Sequence, residues 1–572
     1  MPNREISKIL LEMAELYEMD GVQFKPRIYE KASLSVEATD EDVRDLYKKD
    51  GTKGLMQIPG VGKGIAEHIE EYLKTGHFKE YDRLKKKMPV NISELTAVEG
   101  VGPKMIKVLW DKLHIRNLND LEKAARAGKI KKLARFGEKS EQKILKGIEF
   151  LKKAGGRAVL GLILPEIRAM EKVLKTFPEI GNLAVAGSTR RMKETIGDID
   201  ILATSKKPEK VMECFMALPH IAHVYARGLT KTMVKLKNGL DVDLRVVPEE
   251  SFGAALNYFT GSKDHNIALR EIAVKKGWKL NEYGIFRGKK MIAGKTEEEV
   301  YKALGLRYIE PEMRENTGEI EASRRNKLPK LIGYGDLKGD LQIQTNWTDG
   351  ENSIEEMAEA AKIAGLEYIV ITDHTKSLAM TGGADEKKLT RQMAEIDKIQ
   401  KEVSGIRILK GAEVNIGKDG SLDIDDKTLV KLDVVGAAVH SSFRGEMSRS
   451  DQTKRVIRAM ENPNIDIIFH LTTRIINKRE PIELDIDEIV KAAKRTGTVL
   501  EIDAYPERSD IKDEYIRKCV EADVKMSIDS DAHSVQHIKY LEFGVAQARR
   551  GWAEKKDIIN AWPVEKMLNF LK

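Results

Sequence analysis

Three aspartates sit at the ends of two short apolar runs. Asp198 and Asp200 alternate with isoleucine in Gly197-Asp198-Ile199-Asp200-Ile201-Leu202, and Asp243 closes Asp241-Val242-Asp243 further along. Side chains two apart on a strand share a face, so Asp198 and Asp200 converge, and a neighbouring strand can add Asp243. Three converging carboxylates suit phosphoryl transfer with two divalent cations. One cation lowers the pKa of an attacking hydroxyl, and the other holds a triphosphate and steadies its leaving pyrophosphate. Upstream, Gly187-Ser188-Thr189-Arg190-Arg191 offers the remaining contacts: Ser188, Arg191 and the backbone at Gly197 would hold triphosphate oxygens. An Asp-x-Asp alone is usually a surface turn. The Gly-Ser upstream and the third strand carboxylate turn this one towards a nucleotidyltransferase.

These residues need strands, and the chain supplies them only after residue 150. Residues 1–150 read as helices joined by short glycine turns. From 151 the pattern becomes mixed α/β, with TMVKLKN and LDVDLRVV forming a hairpin around Asn238-Gly239. Residues 310–335 are charged and contain Pro and Gly, as a linker would. Beyond them, short apolar runs such as EYIVITDH, LDVVGAAVH and GTVLEIDA alternate with helical patterns, as in a parallel, barrel-like domain.

The helical region contains a repeat. Leu55-x-x-Ile58-Pro59-Gly60-Val61-Gly62-Lys63 recurs as Leu95-x-x-Val98-Glu99-Gly100-Val101-Gly102-Pro103-Lys104. Each copy precedes an apolar-periodic helix and looks like a helix-hairpin-helix motif. Its glycines let the backbone approach a phosphate, and the next helix offers unpaired N–H groups. Such a device grips the DNA backbone without reading bases. Residues 51–150 hold 21 Lys and Arg against 13 Asp and Glu, whereas the first fifty hold 8 against 12. Charge alone fits a solvated helical surface better. The paired motif in the same basic block turns the reading to DNA.

Composition narrows the classes further. The length of 572 residues predicts about three to five domains. No apolar run is long enough for a bilayer and the start is not a signal peptide, so the expectation is a cytoplasmic protein without membrane partners. Cys214 and Cys519, the two cysteines, form no Cys-x-x-Cys, which argues against a disulfide framework or a cysteine zinc site.

GSTRR, GDIDIL, VDLRVV and Tyr258-Phe259-Thr260-Gly261-Ser262 closely resemble DNA polymerase family X, over residues 1 to about 315. The resemblance implies a template-directed DNA polymerase that fills short gaps in repair, with Asp198, Asp200 and Asp243 catalytic. It gives Tyr258 and Phe259 the sugar pocket that disfavours ribonucleotides. It places Gly261, Asn266 and Arg270 at the incoming nucleotide and template minor groove. Upstream, Lys25, Tyr29 and Lys31 match the family's 5′-phosphate pocket. Gly60, Gly62, Lys63, Gly100, Gly102 and Lys104 would touch DNA. The family's Schiff-base lysine is replaced by His68, so lyase activity is not implied. Implied partners are gapped or primer-template DNA and a dNTP, with two Mg2+ ions in the palm, Mn2+ as a substitute, and a monomeric chain.

The last third resembles the PHP domain fused to many bacterial and archaeal family X enzymes. The family pattern opens with two histidines, and here both are glutamine, Gln342 and Gln344. The other implied metal ligands are present: Asp349, His374, Glu413, His440, His470, Asp531 and His533. Zn2+ or Mn2+ is the implied metal, and an impaired 3′–5′ exonuclease or apurinic-site endonuclease the implied activity. The expected architecture is multidomain: an all-α helix-hairpin-helix region, an α/β nucleotidyltransferase palm with a small thumb, and a distorted α/β barrel. The boundaries are 1–84 (lyase-like), 85–150 (fingers), 151–247 (palm), 248–315 (thumb), 316–335 (linker) and 336–572 (PHP). Two rival readings are a non-polymerase nucleotidyltransferase and a DNA-end-binding scaffold. The YFTGS segment argues against the first and the intact carboxylate triad against the second.

Overall fold

The computed structural model describes residues 2–571 apart from 40, 99, 100, 134, 135, 154, 155, 444 and 445. It divides into two units, Met1–Gly156 with Asn477–Arg479, and Arg157–Ile476 with Glu480–Lys572. No described helix is long and apolar enough to cross a membrane.

The first unit is helical, as its 3.6-residue apolar periodicity requires. Its core runs from Ile6 and Leu10 through Leu55, Ile65 and Ile69 to Leu109 and Ile144. In the first hairpin Gly60 adopts φ 77°, a left-handed conformation that favours glycine, and a β-carbon there would come 3.0 Å from the Lys31 side chain. The helix Lys63–Thr75 then starts at Gly62 without a side-chain cap. The second hairpin repeats this geometry: Pro103–Leu113 starts at an uncapped Gly102, and Val101 N–H bonds the Val98 carbonyl as Val61 N–H bonds that of Ile58.

The second unit carries three successive cores. A five-stranded sheet comes first, in the order Leu183–Val185, Asp198–Thr204, Asp241–Val247, Lys231–Leu236, Ile221–Arg227. Helices Leu160–Leu174 and Pro208–Met216 cover it with Ile163, Ile167, Val211 and Phe215. Next, helices Phe252–Thr260, Lys263–Lys275 and Glu297–Leu304 pack with a small three-stranded sheet.

The third core is a seven-stranded parallel sheet in strict chain order, from Gly339–Ile343 to Met526–Asp529. It curls until its last strand meets its first. Gln344 N–H bonds the Ala532 carbonyl at 2.9 Å, and Ala532 N–H bonds that of Gln342 at 3.3 Å. These strands are buried on both faces and rich in Val, Ile and Leu, with buried polar residues such as Asp340, Gln342, Glu413, Glu501 and Asp529 along them.

The 316–335 stretch, read as a linker, is folded. It contains the helix Glu319–Arg324 and buries Glu319 against His265, with Ile320 in the thumb core. Leu331 and Ile332 then join the strand-like segment at Glu554 and Ala553. Glu319 is buried as an internal partner, while Glu321, Arg324 and Arg325 remain exposed, and composition does not distinguish the two.

Candidate active site

The palm carboxylates are brought together by strand register. Asp198–Thr204 and Asp241–Val247 run parallel, placing Asp198 opposite Asp241 and Asp200 opposite Asp243. Alternation buries Ile199 and Val242 in the core and leaves the aspartates on the other face. The short Gly187–Arg190 helix abuts this face, and Ala186 N–H bonds the Asp200 carbonyl at 2.8 Å. Gly187 has φ 65°, and a β-carbon there would stand 2.5 Å from Asp200 Oδ2.

The electrostatics call for a cation. Burial first, and then the charges of Asp198 and Asp243, push the Asp200 carboxyl up to about 6. Asp243 Oδ2 meets Lys231 Nζ at 3.2 Å and Arg245 Nη2 at 3.1 Å, but its Oδ1 is buried and makes no hydrogen bond. Mutually repelling carboxylates with an orphaned acceptor fit bound divalent metal.

Both arginines of GSTRR are engaged by the thumb. Arg190 holds Glu297 with two bonds, of 2.9 and 2.6 Å, and Thr260 Oγ1 at 2.8 Å. Burial would raise the Glu297 carboxyl, but Arg190 and the buried Arg314 hold it down at about 2. Arg191 donates to the Thr260 carbonyl and, through Nε, to Glu315 at 2.8 Å. Ser188 lies within this helix, and Gly197 directly precedes the Asp198 strand.

The remaining nucleotide-pocket candidates cluster at one corner. Tyr258 packs edge-on against Phe259 at 5.1 Å, and the Arg245 guanidinium lies over the Phe259 ring at 4.5 Å. Asn266 Nδ2 bonds the Tyr258 carbonyl at 2.6 Å, and Arg270 Nε bonds that of Asn266 at 3.3 Å. Gly261, at φ 72°, turns the chain between their two helices, with the Ser262 hydroxyl capping the second.

In the helical unit, Lys25 and Lys31 are exposed and Tyr29 is buried. Lys25 Nζ lies 4.5 Å over the Tyr17 ring, and His68 stands 6.3 Å from the Tyr29 ring. Lys63 projects into solvent, 4.0 Å from Glu67, and Lys104 lies 3.8 Å from Glu18. Gly62 and Gly102 have open space where a β-carbon would go. Gly100 lies outside the described residues.

At the carboxyl ends of the barrel strands, Glu413 is the hub. Its Oε1 lies 3.0 Å from His440 Nε2 and 2.9 Å from His470 Nε2. Its Oε2 lies 3.3 Å from His374 Nδ1. Two three-residue groups have ligand atoms within 4.8 Å of one another: His374, Glu413 and His440, and Asp349, His374 and His533. His374 faces the groups with opposite ring nitrogens, its Nε2 lying 3.6 Å from Asp349. Asn415 accepts from His440 Nδ1 at 2.7 Å, which frees Nε2 as a ligand. Burial would raise the Glu413 carboxyl, but the imidazoles of His374, His440 and His470 hold it well below the usual range. These two positions fit metal.

The position expected from the two opening residues fits less well, since the buried, partnerless amide oxygens of Gln342 and Gln344 are neutral ligands. Gln342 and Gln344 both turn their amide nitrogens to Glu413 Oε2, at 3.2 and 2.9 Å. Asp531 lies 3.3 Å from Arg508 Nε, and Asp503 lies 3.6 Å from the same atom. Amide donors and a guanidinium thus answer the negative charge that a cation would otherwise meet. Arg508 and Asn415 escape the sequence reading. Asn415 is two residues past Glu413 on one strand, a spacing that points to it, whereas nothing in the sequence ties Arg508 to Asp531.

Comparison with known proteins agrees with this architecture. Family models match residues 1–78 (helix-hairpin-helix domain), 92–149 (SAM-like helix-hairpin-helix tandem), 255–315 (DNA polymerase beta thumb) and 340–562 (PHP domain). The DNA polymerase/3′-5′ exonuclease PolX of Bacillus subtilis is 37% identical over 577 residues, covering all of both chains. DNA polymerase lambda of Rattus norvegicus is 28% identical over 346 residues, 55% of this chain and 56% of that one. A "Probable phosphatase" of Acetivibrio thermocellus is 31% identical over 188 residues, 32% of this chain and 73% of that one. With paired hairpins, carboxylates, thumb and barrel in this order, the chain belongs to DNA polymerase family X, in the form that carries a C-terminal PHP domain.

Proposed function

We propose that the protein fills short gaps in DNA by templated addition of dNTPs at the Asp198, Asp200 and Asp243 site. The observation that carries this reading is the register of Asp200 with Asp243 beside the opening left by Gly187. These carboxylates would hold two Mg2+ ions, with Mn2+ as a substitute. Bound there, the cations would supply charge stabilisation and a lowered hydroxyl pKa. The chain's own groups position the reactants. Ser188, Arg191 and the backbone at Gly197 bind triphosphate oxygens, and Arg191 must leave Glu315 to do so. Tyr258 and Phe259 wall the sugar pocket against a 2′-hydroxyl, with Gly261 giving the turn that seats them. Asn266 and Arg270 contact the nucleotide and the template.

In the helical unit, the hairpins at Gly60–Lys63 and Gly100–Lys104 grip DNA phosphates, and Lys25, Tyr29 and Lys31 receive a 5′-phosphate. In the PHP domain, Asp349, His374, Glu413, His440, His470 and His533 would hold two Zn2+ or Mn2+ ions, which would supply phosphodiester polarisation and water activation there. The Gln342, Gln344 and Asp531 position stays empty or binds metal only weakly, so nuclease activity is reduced.

The test is primer extension on one-nucleotide-gapped DNA with each of the four template bases. Incorporation of only the complementary dNTP is expected. Untemplated addition, or none, would refute the reading.

A further inference from the structure

We propose that the PHP domain holds the palm's catalytic strand in place, with Arg474 as a positioning residue for nucleotidyl transfer. The proposal rests on the reading of the palm as the transfer site. Residues 192–196 join the Gly187–Arg190 helix to the Asp198–Thr204 strand, so both catalytic elements move with this connector. The barrel domain grips three consecutive residues of it. The Met192 carbonyl accepts from Arg550 Nη1, and Met192 itself has φ 51°, a conformation a non-glycine residue keeps only when its surroundings enforce it. Lys193 Nζ lies 3.7 Å from Asp513 Oδ2. The Glu194 carboxylate receives both arms of Arg474, Nη1 at 3.2 Å and Nη2 at 2.6 Å.

The Arg474 contact is built to be rigid. Its side chain is 5% exposed, and Nη2 also donates to the Ser509 carbonyl. A planar guanidinium on a carboxylate fixes direction as well as distance. Beyond Glu194, Thr195 and Ile196 pair with Val159 and Ala158, and only Gly197 separates them from Asp198. The same face is closed by packing: a β-carbon on Gly161 would come within 2.5 Å of Pro506. Arg474 lies on the loop that begins at His470, whose N–H bonds Glu501 at 2.5 Å. One short loop therefore carries a candidate metal ligand at one end and the palm's brace at the other.

The test uses the full-length protein with Arg474→Ala, Arg474→Lys, Glu194→Gln, Glu194→Arg and the exchanged pair Glu194→Arg with Arg474→Glu. Steady-state gap filling, gapped-DNA Kd and amide hydrogen exchange of residues 195–200 are read on each. Misplacing a catalytic group by about 1 Å loses about a hundredfold in rate, so Arg474→Ala should lower kcat by roughly ten- to a hundredfold. Its Kd for DNA should stay within about twofold. Exchange at 195–200 should quicken in Arg474→Ala and Glu194→Gln, and Arg474→Lys should recover part of the rate. The exchanged pair should outperform Glu194→Arg alone. Unchanged exchange at 195–200 in both Arg474→Ala and Glu194→Gln would overturn the brace, whatever the activity. So would wild-type kcat in Arg474→Ala, or a loss that neither the lysine nor the exchanged pair relieves. A wild-type protein without templated incorporation would instead defeat the palm reading, and hydrogen exchange would still judge Arg474.

Discussion

Replacing Gly187 by alanine should disable the palm while leaving the protein folded. The added β-carbon would stand 2.5 Å from Asp200 Oδ2. A carbon and an oxygen settle at about 3.3 Å or more, so the carboxylate or the Gly187–Arg190 helix must move by roughly 0.8 Å. Functional groups tolerate about 0.5 Å of misplacement, and about 1 Å is worth roughly a hundredfold in rate. Alanine also meets the left-handed φ of 65° there, which costs it about 1–2 kcal/mol. The expected result is a kcat for gap filling down by about ten- to a hundredfold, with Tm lower by only a few degrees. Gapped-DNA affinity should be unchanged, because the hairpin glycines are untouched. Single-turnover incorporation, differential scanning fluorimetry and a DNA-binding titration read the three quantities. A folded Gly187→Ala protein with kcat within about twofold of wild type would refute the claim that Asp200 must occupy this place beside Gly187.

Three further outcomes follow from other parts of the molecule. The Asp200 carboxyl is raised from 3.8 to about 6, so its contribution to metal-free stability is present below pH 3.8 and lost as pH rises through about 6. Mg2+ should therefore raise Tm more at pH 7.5 than at pH 5 and Asp200→Asn should abolish the difference; an equal shift at both pH values in wild type would contradict this. Gly62→Ala and Gly102→Ala have open space for the new methyl, so Tm should hold while gapped-DNA affinity falls, and unchanged affinity in the double variant would make the hairpins merely structural. Gln342→His with Gln344→His should raise bound metal, counted by elemental analysis, and Mn2+-dependent exonuclease together; robust exonuclease in the unmodified protein, lost in His440→Ala, would show that the glutamines matter little.

Much of this arrangement is legible in the sequence because it is periodic. Alternation in Asp198-Ile199-Asp200 places two carboxylates on one face, and the Asn238-Gly239 turn brings Asp243 within reach. The helical periodicity of the first unit and the apolar strands of the last announce their classes in the same way. What the sequence hides are pairings that leave no periodic trace. Arg191 reads as a triphosphate contact, and nothing in the sequence shows that Arg190 and Arg191 are held by the thumb carboxylates Glu297 and Glu315. The charges of residues 316–335 read as a solvated linker, yet Glu319 is buried on His265. Glu194 and Arg474 stand far apart in the chain and find each other only because the barrel packs on the palm. Arg508 approaches Asp531 within the barrel itself, from the loops that follow two neighbouring strands. Such pairs depend on how finished layers dock, which local pattern does not encode.

The central claim is that Asp198, Asp200 and Asp243 form one catalytic site for templated nucleotide addition. Single-turnover incorporation of the complementary dNTP into gapped DNA should be measured for wild type and for Asp198→Asn, Asp200→Asn and Asp243→Asn. Each substitution removes a charge that holds cations against the developing negative charge of the transition state, so each should lose about a thousandfold or more while DNA affinity stays nearly intact. Near-wild-type incorporation by folded Asp200→Asn would contradict the account.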